Sequence, residues 1–143
     1  MNEKTIEKLL ESPRLVVDFL PRRVEKDGGG RFFSVEEYFI DKSRYSDMRR
    51  RFLGVILRLY CYFDIAFFDG DEWKDNPEPE LIADTVMKNE RYILIYIKAD
   101  SAALSLCTDD THMTVFGGGR AVDDILIPSA AAEGLFVWEA GAE

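Results

Sequence analysis

Apolar side chains change their spacing several times along this chain, and each change marks an element. Met48, Phe52, Val55, Ile56 and Leu59 recur every three or four positions, the spacing of one helix face. Ser46 is placed to cap that helix, and Asp47 lies in its first turn, where a negative charge suits the dipole. Arg49, Arg50 and Arg58 are assigned to its outer side. Gly54 costs about 1 kcal/mol against Ala inside a helix, which implies that another element packs closely there.

Shorter helical patterns flank it. Ile6, Leu9 and Leu10 share one side of a helix over Glu3 to Leu10, stopped by Ser12-Pro13. Ser34 and Glu37 match a capping box, which starts a helix running to about Ile40. Asn76-Pro77 opens another, with Leu81, Ile82 and Val86 inward and a left-handed stop at Asn89. A last helix begins at Arg120 and carries Val122, Ile125 and Leu126 inward. Pro128 should end or kink it.

Strand patterns fall between these. Leu15 to Leu20 reads as a strand that Pro21 ends or marks as an edge, and Leu135 to Trp138 as a last buried strand. Cys61, Phe63, Ile65 and Phe67 alternate with Tyr62, Asp64, Ala66 and Phe68. The centre is residues 92–116, read as three antiparallel strands with two tight connections. Register there follows from burial, because a slip of one residue turns every side chain over. Pairing Cys107 with His112 sets Leu106 against Met113 and Leu104 against Val115, so all aliphatic residues share one side. Ile97, Ile95 and Ile93 then meet Ala102, Leu104 and Leu106. The opposite side carries Tyr92, Leu94 and Tyr96, then Ala103, Ser105 and Cys107, then His112, Thr114 and Phe116. Small residues between aromatics leave space above the middle strand, for another element or for a shallow pocket.

The expected fold is therefore α+β: a mainly antiparallel sheet of about five strands around the meander 92–116, helices mostly on one face. Residues 1–143 are expected to form a single domain. Apolar residues at 47% and aromatics at 13% argue against disorder. The longest greasy run, Phe52 to Phe68, is too short and too charged to span a bilayer. No signal peptide is evident, so a soluble, cytoplasmic protein with reduced thiols is expected.

Charge is uneven. Residues 1–60 hold 13 Lys+Arg against 10 Asp+Glu, whereas residues 61–143 hold 5 against 17. The net −9 disfavours nucleic acid as a partner. Any basic patch would have to form around Arg44, Arg49, Arg50, Arg51 and Arg58.

Candidate chemistry is sparse. The row Tyr92, Cys107, His112 would bring a thiol beside an imidazole, the pairing of a low-pKa nucleophile, with Asp109 or Asp110 to orient the ring. Buried cysteine is more commonly an apolar filler. His112 is the only histidine and the two cysteines lack zinc-ligand spacing, so no metal site or cofactor is expected. Gly28-Gly29-Gly30 lacks the Lys-Ser/Thr of a phosphate loop and reads as a flexible connection. Asp69 to Glu80 has Lys74 where a calcium loop needs glycine.

The reading these patterns favour is a non-catalytic protein-binding or regulatory module. Asp69, Asp71, Glu72, Trp73 and Asp75 would form an acidic, aromatic-anchored surface for a basic protein partner, with no membrane role and a homo-oligomer left open. The alternative is a small-ligand-binding domain or Cys/His enzyme, using Tyr92, Tyr96, Ser105, Cys107 and His112 on the small-residue face.

Overall fold

The computed structural model describes residues 3–25 and 30–141, with residues 42–45 described by their backbone alone. Gly28, Gly29 and the side chain of Arg44 lie outside the described residues. In chain order the elements are α1 (Glu3–Leu9), β1 (Pro13–Asp18), α2 (Arg31–Ile40), α3 (Lys42–Tyr62), β2 (Ala66–Phe68) and β3 (Trp73–Asp75). There follow α4 (Pro79–Lys88), β4 (Ile93–Ile97), β5 (Ala102–Leu106), β6 (His112–Gly117), α5 (Arg120–Ala132) and β7 (Phe136–Glu139). The fold is α+β. All strands join one antiparallel sheet in the order β3-β2-β4-β5-β6-β1-β7.

The sheet has seven strands among the described residues, not about five. The unforeseen strand is β3, three residues inside the acidic stretch. It shows no alternation of its own and is held by pairing with β2 and by Phe68 against Trp73, ring centres 5.3 Å apart.

The meander has the register burial demands. Ile93, Ile95 and Ile97 face Leu106, Leu104 and Ala102, and Leu104 faces Val115. Their side chains enter one core with Val17 of β1, Phe52, Val55 and Ile56 of α3, Ile82 and Val86 of α4, and Val122 and Leu126 of α5. Burying a side chain of this size is worth roughly 1.5–3 kcal/mol, which makes this layer the main source of cohesion. The opposite face is covered at one end by α1. Ile6 packs there with Leu94, Tyr96, Ala103 and Phe116, in the space the small residues leave.

Five local expectations are corrected. α2 begins at Arg31, so Ser34 is not its cap: the Ser34 N–H already donates to the Gly30 carbonyl. α3 continues to Tyr62, because Phe63 N–H still bonds to the Leu59 carbonyl, and Cys61 and Tyr62 are helical rather than β. Asn76 closes a loop instead of starting α4. Its backbone N–H donates to the Ile65 carbonyl and its side-chain oxygen accepts from Ile65 N–H at 2.8 Å, leaving Pro79 to open the helix. α5 runs through Pro128, whose missing N–H falls on an exposed side where solvent can satisfy the orphaned carbonyl. β7 is an edge strand and not a buried one, with Phe136 46% exposed.

Candidate functional site

In the predicted thiol–imidazole row, Tyr92 lies within electrostatic reach of Cys107, and each residue also has partners outside the row. Cys107 follows β5 and is half-buried. Its backbone N–H donates to the Asp110 carboxylate, and its carbonyl accepts from Arg49 at 2.9 Å. Burial pushes the thiol pKa up, and the Asp110 carboxylate pushes it further. A thiol raised in this way is a poor source of thiolate. Asp109 is held elsewhere, exchanging two hydrogen bonds with Asn89 at the end of α4. Tyr92 stands just before β4, its pKa raised chiefly by burial. Tyr96 and Ser105 are both buried.

His112 pairs on its other side, across the sheet, with Asp18 of β1. Asp18 is 8% exposed and is the one buried carboxylate among the described residues. Burial raises its pKa. Hydrogen bonds from the backbone of Leu20 and Phe19 and the charge of His112 pull it back, while Glu36 of α2 pushes it up. Alternation decides where these groups point. Val17 and Met113 enter the main core, so their neighbours Val16, Asp18 and His112 lie on the other face, beyond the part that α1 covers.

There they floor a pocket of about 330 Å³, partly open to solvent. Trp138 of β7 forms one wall, its indole N–H donating to the Leu20 carbonyl at 3.2 Å. The roof is Val24, with Phe32 and Phe33 of α2. Arg23 and Glu25 stand among the lining groups, and Arg23 already has a partner within the chain. α2 itself has no fully buried residue. It is tied to the body by Phe39 against Phe19, ring centres 5.1 Å apart, and by the Thr111 hydroxyl donating to Glu36.

Asp18 was not singled out in the sequence, although a signal existed. It is the one charge in Leu15-Val16-Val17-Asp18-Phe19-Leu20, an otherwise apolar strand pattern. An acid that alternation carries onto a covered face is either paired or functional.

The acidic segment is divided between structure and surface. The Asp69 carboxylate accepts from the N–H groups of Asp71 and Glu72 and pairs with Lys74 at 3.2 Å, so it builds the β2–β3 turn. Burial of Asp69 acts in the opposite sense, but these partners hold its pKa below the usual carboxylate value. Trp73 packs into the smaller core beside Phe68. Asp71, Glu72 and Asp75 are exposed. Among the described residues no three His, Cys, Asp or Glu side chains are grouped to hold a metal. No helix among them is long and apolar enough to cross a membrane.

Compared with known proteins, the chain matches no family model, no curated protein and no solved structure.

Proposed function

We propose that this protein is a binding module whose recognition site is the pocket between the sheet and α2, taking a small ligand with an apolar body. The observation that carries this reading is the pocket itself: a concave, mainly apolar space with a buried carboxylate and an imidazole on its floor. Small-molecule sites have this make-up, a hydrophobic enclosure with a few convergent polar groups, and 330 Å³ is at the small end of their range. Ligand-observed NMR with small aromatic probes tests it. Saturable binding is expected, and Val16→Phe, which fills the floor, should abolish it. Absence of saturable binding to the wild-type protein sinks the reading.

A second reading, docking of a basic protein, has its own support at the opposite end of the sheet. β3 is an edge strand, and Asp71, Glu72 and Asp75 stand exposed beside its open edge. An open edge can accept an added strand, and the charges would favour a basic one.

A further inference from the structure

The pocket is not chemically neutral, and its polarity narrows what it can hold. Its walls offer three aromatic rings, Phe32, Phe33 and Trp138, and three aliphatic side chains, Val16, Leu20 and Val24. Set into this apolar surface is the Asp18 carboxylate, on a β-strand whose backbone is fixed by paired neighbours on both sides. The backbone N–H of Leu20 satisfies part of that carboxylate and brings no positive charge. Glu36 adds negative potential from α2, and Glu25 adds it from the lining. Among the described residues two groups oppose them: His112 on β6, and Arg23, which is already engaged within the chain. A buried carboxylate is costly unless a partner compensates it, and aromatic faces attract cations.

From this juxtaposition we infer that the pocket's ligand is an organic ammonium with an aromatic or branched aliphatic body, its cationic head on Asp18 and its body between Trp138, Phe32 and Phe33. This rests on the pocket reading above and specifies its chemistry. An ammonium supplies a positive charge for Asp18, and an N⁺–H···O⁻ bond is among the stronger hydrogen bonds. The carboxylate must be ionised to receive it, so binding displaces any proton held there. Affinity therefore climbs as pH rises through the titration of Asp18. The carboxylates of Glu36 and Glu25 add to the attraction for a cation.

Three probes that share a body and differ in the head decide the matter: phenethylamine, phenethyl alcohol and hydrocinnamate. In wild-type protein the amine should bind about tenfold or more tighter than the alcohol, as a charge-assisted hydrogen bond implies, with the acid weakest. In Asp18→Asn the amine should lose that advantage, while the alcohol binds as before and the steepest part of the pH dependence disappears. At a pH within the titration of Asp18, proton release on amine binding to the wild-type protein, read by calorimetry in buffers of different ionisation enthalpy, gives a second measure that needs no variant. Equal affinities for the three probes, all lost in Val16→Phe, would overturn the ammonium assignment and leave the pocket standing. Failure of every probe to bind would overturn both.

Discussion

Asp18 and Arg49 show how a buried charge can be kept for opposite reasons. Arg49 is 1% exposed, and its guanidinium donates to the Val86 carbonyl at 2.8 Å and the Cys107 carbonyl at 2.9 Å. Val86 is in the last turn of α4, where carbonyls lack helical partners and a positive charge suits the dipole. This cation is compensated by what it touches. Among the described residues Asp18 touches no comparable cation, and burial raises its pKa above the ordinary value. A carboxyl of that kind favours the folded state most when protonated, below the unfolded value of about 4, and that contribution is lost as pH rises through the folded value. Asp18→Asn should therefore melt at a higher temperature than wild type at neutral pH. The gap should narrow as pH falls to about 4 and below. Melting curves across that range check it, and a variant that melts lower at pH 7 contradicts it. The placement of Arg49 was legible, since positions 49, 52, 56 and 59 share one helix face. Assigning it outward gave residue type more weight than periodicity, and no sequence pattern announces the two distant carbonyls that receive it.

At the scale of elements, two glycines make different demands. Gly117 ends β6 with φ +63°, and a Cβ there would come within 2.5 Å of both the Leu9 side chain of α1 and the Ser101 carbonyl. Gly117→Ala should cost more than about 1 kcal/mol and loosen α1, because both the backbone angle and the space forbid it. Gly54 in α3 has ordinary helical geometry. A Cβ there would displace the carboxylate of Glu133, which pairs with Arg58 near the surface. Gly54→Ala gains about 1 kcal/mol of helix propensity and gives up an ion pair worth at most about that much, so its stability should stay within about 1 kcal/mol of wild type. Denaturant titration of both variants separates them, and the reverse order would refute this account. The close approach at Gly54 was readable from a glycine inside a long helical pattern. The meander register was readable too, because only one alignment puts every aliphatic residue on the same side. β3 and the true start of α4 were not, since Asn76 looks like a cap until its bonds to Ile65 are known.

Across the whole molecule, the contrast between a basic first part and an acidic remainder is partly cancelled on folding. Arg14 forms a two-pronged pair with Asp123, Arg58 pairs with Glu133, and Arg51 donates to the Glu133 carbonyl. The acids at the β3 edge are left facing solvent. If that edge meets a basic protein, reversing Asp71 and Glu72 to lysine should weaken capture at least about tenfold, and added salt should weaken capture by the wild type. A partner retained equally by both forms would rule that edge out. Overall charge could be counted from the sequence, but how it is paired across distant segments could not.

The helix over the pocket has one more consequence. α2 buries no residue completely and meets the main core only through partly buried side chains such as Phe39, whereas β1 and β6 beneath it are held by paired strands on either side. If the pocket binds as proposed, a guest would enter by an excursion of α2 that carries Phe32 and Phe33 with it, while Asp18 and His112 keep their places in the sheet.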